Sequence, residues 1–291
     1  MSNDFSSAGP PGAAGNVADH PTVAGLLDAA RARGIARLDA EVLLSALSGL
    51  GRAQLIAFGE RPVDALTSAM VEVGLERLAA GEPLAYITGT KEFWSLPLVV
   101  TRDVLIPRPD TELLVERCLA LLPEAPQQIA DLGTGSGAIA LALARERPAW
   151  RIVATDASPA ALEVAAVNRQ RLNLGNVELR AGHWCAALPD SGFDAILSNP
   201  PYIAEDDAAL AALGHEPRGA LVAGEQGFAD LLQIAGSARA RLRPGGALLL
   251  EHGSTQAPRL REALVAMGFV RVASLRDLAG HERVTEAFSP T

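Results

Sequence analysis

Two periods of apolar residues divide the chain. From Thr22 to about Gly81 they recur every three to four residues, the spacing of one helix face. Thr22 is placed to cap a helix carrying Val23, Leu26, Leu27 and Ala30, with Gly34 to stop it. A second helix fits Leu38, Val42, Leu43, Ala46 and Leu47, ending near Gly49. A short third piece covers Arg52 to Phe58, and Pro62 opens a longer helix with Leu66, Met70, Val73, Leu75 and Leu78. The pattern predicts a small all-helical domain over residues 22–82. Periodicity leaves open whether it only packs or also docks a partner.

From Pro83 the period changes. Phe93-Trp94-Ser95-Leu96 and Leu98-Val99-Val100 flank Pro97, and Val104-Leu105-Ile106 follows, which predicts a hairpin linker over 83–109. Asp110 or Thr111 can cap the helix holding Leu113, Leu114, Val115 and Leu119. Arg108 and Glu112 read as partners in structural ion pairing. After Pro126 strands and helices alternate: strands at Ile129 to Leu132, Arg151 to Thr155, Val177 to Arg180, Phe193 to Ser198 and Gly246 to Glu251, the last after a turn at Arg243-Pro244-Gly245. Helices fit Gly137 to Arg147, Pro159 to Leu172, Phe228 to Leu242 and Ala257 to Met267, and two more strands close the chain. Alternation of this kind predicts an α/β domain over 110–291, a mostly parallel sheet with helices on both faces. Ligands of such sheets sit outside the carboxyl ends of the strands.

Composition narrows the function classes. The 291 residues allow one large or two modest domains, and 49% hydrophobic residues are enough for a full core. The net charge of −9, with no basic stripe, argues against direct nucleic-acid binding and for a protein or small-molecule partner. Two cysteines and five histidines are scattered outside any metal-like spacing, so no metal site is expected. Residues 1–21 are small and polar and lack a signal peptide's basic start and apolar stretch, so they read as a disordered leader. No apolar run approaches membrane-spanning length. A cytoplasmic chain is expected.

The chemistry concentrates at three strand ends. Asp131-Leu132-Gly133-Thr134-Gly135-Ser136-Gly137 joins a strand to a helix, where glycines let a ligand approach and the helix start offers free N–H groups. Its G-x-G-x-G spacing departs from the dinucleotide fingerprint G-x-G-x-x-G. Asp156 ends the next strand, where a carboxylate can accept two hydrogen bonds from ribose hydroxyls. Asn199-Pro200-Pro201-Tyr202 ends the strand Phe193 to Ser198. Residues before proline are pushed to extended conformations, and neither proline has an N–H. What remains is a stiff patch of acceptors, the Asn199 side-chain oxygen and the carbonyls of Asn199 and Pro200, beside the aromatic face of Tyr202. Such a patch suits a planar –NH2 group.

Asp131 to Gly137, Asp156 and Asn199 to Tyr202 together resemble a class I S-adenosylmethionine-dependent methyltransferase acting on a planar amino group. Further stretches, Gly81-Glu82-Pro83-Leu84-Ala85-Tyr86-Ile87, Glu92-Phe93-Trp94, Ile106-Pro107-Arg108-Pro109-Asp110-Thr111-Glu112 and Glu251-His252-Gly253, resemble the HemK/PrmC family of release-factor glutamine methyltransferases. The likeness runs from about Thr22 to the C-terminus and includes the helical domain. It implies methylation of the side-chain amide N5 of the glutamine in the Gly-Gly-Gln motif of class 1 peptide-chain release factors, in support of translation termination. Gly133, Thr134, Gly135, Ser136 and Gly137 would line S-adenosylmethionine, Asp156 would hold its ribose, and Trp184 would lie near its adenine, with Asn199 also on the cofactor side. Asn199 and Pro200 would accept the amide hydrogens, Tyr202 would pack on the amide, and Pro201 would complete the substrate contact. The family's acidic residue before the tryptophan is His183 here, whose neutral imidazole nitrogen can accept instead.

A separate helical domain on an enzyme with a macromolecular substrate is expected to dock the release factor, and a monomer is expected. The nearest alternative is an adenine-N6 methyltransferase on nucleic acid, which presents the same –NH2 group but must capture an extruded base. A nicotinamide oxidoreductase would need the third glycine at its spacing and a hydride-handling residue. A regulator that binds the cofactor without catalysis would have no use for an intact Asn199 to Tyr202.

Overall fold

The structure, a computed structural model, describes residues 21–189 and 192–291. The expected leader lies outside the described residues except for Pro21. The chain divides into two compact units, Met1–Thr88 and Gly89–Thr291.

In the first unit α1 (Val23–Ala32) begins where the Thr22 hydroxyl accepts the Gly25 N–H at 3.2 Å. Helix α2 (Arg37–Ser48) stops at Gly49, whose φ of +71° is the left-handed conformation of a helix terminator. Helices α3 (Arg52–Ala57), α4 (Ala65–Ala79) and α5 (Leu84–Thr88) follow. Pro62 does not open α4. Asp64 does, accepting the Thr67 N–H at 3.0 Å, while Pro62 pairs in a short bridge with Thr22. Helix α4 carries two apolar stripes, and packing selects between them. Leu43 lies over Gly74, at 2.9 Å from where a Cβ would stand, so α4 turns Ser68, Val71, Gly74 and Leu75 inward. Leu66, Met70 and Val73, expected on the packed face, are exposed.

The second unit opens with the hairpin β1 (Thr90–Phe93) and β2 (Leu96–Val99). Its turn residues, Trp94 and Ser95, have φ of +50° and +58° although neither is glycine. Glu112 anchors the strain by accepting the Trp94 N–H at 2.9 Å, and Glu146 accepts the indole N–H at 2.9 Å. Glu112 is thus spent on the hairpin, and Arg108 pairs with Glu216.

The seven-stranded sheet has the order β5-β4-β3-β6-β7-β9-β8. Strands β3 (Gln128–Leu132), β4 (Arg151–Asp156), β5 (Val177–Ala181), β6 (Phe193–Ser198) and β7 (Leu242–Glu251) are parallel, and β8 (Val270–Arg276) and β9 (Glu282–Phe288) add an antiparallel edge. The order reverses between β3 and β6, which makes their carboxyl ends the switch point. The expected turn Arg243-Pro244-Gly245 lies inside β7 as a bulge, with Phe193 paired to Leu242 and Ala195 already to Ala247. Arg243 there pairs with Asp194.

Helices α6 (Glu112–Leu121), α7 (Ala138–Glu146) and α8 (Pro159–Arg171) bury one face of the sheet. A short turn α9 (Gly224–Gly227), α10 (Ala229–Ala238) and α11 (Ala257–Ala266) cover the other. Cys118, on α6, and Cys185 are both buried and unpaired. Desolvation pushes the Cys118 thiol up to about 12 and raises that of Cys185 as well. No helix among the described residues is long and apolar enough to cross a membrane.

Candidate active site

Five consecutive parallel strands deliver their carboxyl ends to one cavity of about 550 Å³ or to the residues directly behind it. Strand β3 leads into Gly133 to Gly137, β4 ends on Asp156, β5 leads to Gly182, His183 and Trp184, β6 leads to Asn199, and β7 ends on Glu251.

The glycine loop is folded against β4, with the N–H groups of Gly133 and Thr134 both donated to the Thr155 carbonyl at 2.9 Å. Gly133 has φ of +71°, and a Cβ there would meet the Trp184 ring at 2.9 Å. Any side chain would therefore push the tryptophan off the loop and close the space between them. Asp156 accepts the Gly135 N–H with one oxygen and the Ser158 N–H with the other, both at 2.9 Å. The carboxylate thus fixes the loop and the start of α8, and each oxygen keeps a lone pair for a further donor.

Asp131 lies behind the loop. Its Oδ2 accepts the Thr134 hydroxyl at 2.6 Å and the Ala140 N–H at 3.2 Å, while Oδ1 is buried without a partner. Burial pushes this carboxyl up to about 7 against the hydrogen bonds that favour its charged form.

Of the expected residues, Gly133, Thr134, Ser136, Asp156, Trp184, Asn199 and Pro201 line the cavity. Gly135, Gly137, Pro200 and Tyr202 are not on its wall. The Asn199 Nδ2 donates to the Thr111 Oγ1 at 3.1 Å. Tyr202 turns its hydroxyl to Glu251 Oε1 at 3.4 Å, and burial is the main cause holding its phenol protonated. Its carbonyl accepts the Gln256 amide N–H at 3.1 Å, and a Cβ at Gly227 would stand 2.2 Å from that carbonyl oxygen. The tetrapeptide is therefore clamped from behind by a position where only glycine fits.

Four residues carry more than the sequence signalled. Thr111 does not cap α6 with its side chain; it holds Asn199 instead. Glu251 is fully buried and its carboxyl is pushed up to about 7, chiefly by desolvation. Glu216 accepts the Ile106 N–H at 3.1 Å and pairs with Arg108, tying the segment at Leu105 and Pro107 to the segment at Pro217 and Gly219 across the cavity. Asp230 accepts the Trp184 indole N–H at 3.2 Å and lines the cavity beside His183, whose ring meets Trp184 edge-on. The missing acid at position 183 thus has a carboxylate neighbour that spacing could not reveal.

The donor set fits an adenosyl sulfonium ligand: a carboxylate with spare lone pairs, a glycine cradle that a Cβ would fill and an indole above it.

Known proteins resemble both parts of this chain. Residues 25–89 match the family described as PrmC N-terminal domain, and residues 107–224 match Methyltransferase small domain. Release factor glutamine methyltransferase of Salmonella typhimurium is 49% identical over 251 residues, 86% of this chain and 91% of its own. The protein of the same name from Coxiella burnetii is 48% identical over 252 residues, 86% of this chain and 91% of its own. A methyltransferase from Pyrococcus furiosus shares the fold, with a TM-score of 0.53 at 20% identity over 74% of this chain and 98% of its own. The sheet is that of a class I methyltransferase, and at these identities and coverages the chain belongs to the release factor glutamine methyltransferase family.

Proposed function

We propose that this chain transfers the methyl group of S-adenosylmethionine to the side-chain amide N5 of the glutamine in the Gly-Gly-Gln motif of class 1 peptide-chain release factors. One observation carries the reading from the site itself. Asn199 stands on the cavity wall with its NH2 group committed to Thr111, so its oxygen is the end left for a donor in the cavity. The name carried by the curated relatives favours glutamine over a nucleobase as that donor.

S-adenosylmethionine would supply an electrophilic methyl on its sulfonium. The chain's own residues align the two reactants. Asp156 would hold the ribose, the glycine loop and Trp184 would hold the adenosyl group, and Asn199 with the Pro200 carbonyl would accept the two amide hydrogens. An amide nitrogen is a poor nucleophile because its lone pair is delocalised into the carbonyl. Orientation can nevertheless supply roughly 7–11 kcal/mol of the barrier. The same acceptors stabilise positive charge as it develops on nitrogen. No base is needed before transfer, because the amide proton becomes acidic only once nitrogen carries the methyl.

The helical unit would dock the release factor away from the glutamine. Leu66, Met70 and Val73 follow helical spacing on α4 and stand exposed, the feature expected of an apolar docking stripe. The reaction would take place in the cytoplasm, where release factors act.

The test is mass spectrometry of a purified class 1 release factor incubated with this protein and methyl-labelled cofactor. One labelled methyl on the Gly-Gly-Gln peptide, absent when that glutamine is replaced by alanine, supports the reading. No transfer to the factor, or transfer elsewhere on it, refutes it.

A further inference from the structure

We infer that Asn168 is a positioning residue of the cofactor site, fixing the glycine loop against the hairpin and so setting two parts of the cavity wall relative to each other. The inference rests on the reading of the loop as the seat of S-adenosylmethionine. Asn168 lies on α8, is 1% exposed and has no part in the transfer described above.

Its amide makes three hydrogen bonds. Val99 donates its N–H to Asn168 Oδ1 at 2.7 Å, and Asn168 Nδ2 donates back to the Val99 carbonyl at 2.9 Å. The same nitrogen donates its second hydrogen to the Ser136 carbonyl at 2.9 Å. The two ends of an amide have nearly the same shape, so polarity and not shape must set its direction. Val99 does so. A backbone N–H only donates and a carbonyl only accepts, so the amide stands one way round and an N–H must point at Ser136. The hairpin backbone thereby decides what the loop is offered.

Ser136 has need of such an anchor. It stands between Gly135 and Gly137, whose φ values of +55° and +86° are both left-handed. Glycine prefers no one conformation, so local sterics hold this stretch weakly. The other anchors of the loop belong to β3, β4 or the loop itself. Thr134 bonds Asp131, Gly133 and Thr134 donate to the Thr155 carbonyl, Gly135 donates to Asp156, and Gly137 donates to the Thr134 carbonyl. Asn168 reaches a different part of the chain. Helix α8 comes close enough for this, since a Cβ at Gly137 would stand 3.5 Å from the Ala165 Cβ.

The hairpin leads into cavity wall of its own. Val99 ends β2, and Asp103, Leu105 and Pro107 line the cavity soon after it. Ser136 lines it from the loop, and Ala161 from the start of α8. Asn168 follows Ala161 by two turns on the same helix face. One buried amide thus joins three segments that each supply wall. Without it, the Val99 N–H and carbonyl and the Ser136 carbonyl lose their partner together. The loop then visits other shapes, and affinity falls by the fraction of time it spends in them.

The experiment compares the wild type, Asn168→Ala and Asn168→Asp by calorimetric titration with S-adenosylhomocysteine, thermal melting and amide hydrogen exchange. Folded Asn168→Ala should bind about tenfold more weakly, the weight of one buried hydrogen bond. Asn168→Asp keeps the size and the acceptor for Val99, and turns the shared donor into an oxygen facing two carbonyls. A carboxyl proton restores one donated bond. Its affinity relative to wild type at the same pH should therefore recover between pH 8 and pH 5. The exchange readout is the Val100 N–H, which donates to the Gly89 carbonyl at 3.1 Å. Saturating ligand should slow its exchange in the wild type and leave it at the ligand-free rate in Asn168→Ala. A residue that only holds the fold together would lower the melting temperature and move neither affinity nor this protection. If the wild type does not bind S-adenosylhomocysteine, the cofactor reading fails and the inference with it. If the wild type binds and folded Asn168→Ala binds within about threefold of it, the inference is wrong and the cofactor reading stands. Equal ligand protection of Val100 in both proteins also overturns it. Should Asn168→Ala not fold, an Asn168→Asp affinity that stays level with wild type, or a deficit that does not change with pH, refutes it.

Discussion

Replacing Asp156 by alanine tests the cofactor assignment most directly. The wild-type carboxylate holds two backbone N–H groups, from Gly135 and Ser158, each at 2.9 Å. It is proposed to take two ribose hydroxyls as well. Hydrogen bonds to a charged group contribute about 1.5–3 kcal/mol each. Losing the ribose contacts as a unit at that value weakens cofactor binding about 10- to 150-fold. The loop contributes in the same direction, because Gly135 without its acceptor is no longer held in the bound shape. Ser158 caps α8, and a negative charge beside a helix start is worth about 0.3–1 kcal/mol. The melting temperature should therefore fall by only a few degrees. Asp156→Asn keeps one acceptor oxygen and should fall between wild type and alanine on both measures. The assay is calorimetric titration with S-adenosylhomocysteine beside a thermal melt. A folded Asp156→Ala protein that binds within about threefold of wild type refutes the assignment.

Asn199→Ala should lose about 10²–10³ in single-turnover rate, by analogy with removing one polar stabilising group from a reacting centre. Asn199→Asp keeps an acceptor and should retain more activity than alanine. Tyr202→Phe should change the rate only a few-fold, since its hydroxyl contacts Glu251 at a long 3.4 Å; a loss as large as that of Asn199→Ala would show the phenol acting on the substrate. Exchanging Leu66 and Met70 for glutamate should raise KM for the whole release factor and leave calorimetric affinity for S-adenosylhomocysteine unchanged, and an unaltered KM would remove α4 from the docking surface. Asp131 has a folded-state value of about 7, above its ordinary 3.8, so the folded protein holds a proton that the unfolded chain gives up. Stability from this group is full below the ordinary value and declines as pH rises toward about 7. Asp131→Asn removes that decline, and urea melts of the free protein at pH 5 and pH 8 should differ less for the variant than for the wild type.

The parallel core was legible because buried strands are apolar throughout and each glycine or proline that follows them marks a strand end. The glycine loop, Asp156 and Asn199 were legible for the same reason, since each sits one step beyond a strand. Thr111 and Glu251 were not. Their role depends on contacts between residues far apart in sequence, and Thr111 in isolation has the spacing of a helix cap. The face of α4 was misjudged because Leu66, Met70 and Val73 are the more apolar stripe in sequence, and it is the close approach of Leu43 to Gly74 that turns Ser68, Val71 and Gly74 inward instead. The hairpin was legible in its strands but not in its turn, where Trp94 and Ser95 take a conformation their side chains disfavour and Glu112 compensates.

The burial of both cysteines makes the protein its own reporter of opening. A thiol reagent finds nothing to react with on the folded surface, since Cys118 and Cys185 are 0% and 1% exposed. Modification must wait for the chain to open, so its rate counts openings rather than collisions. The two sulfurs sit in different places: Cys118 on α6 in the core on one face of the sheet, Cys185 in the core on the other face, directly after Trp184, which lines the cavity. Cys118 then times the unfolding of the whole domain, and Cys185 times the loosening of one wall. A ligand that grips that wall should slow the second clock more than the first.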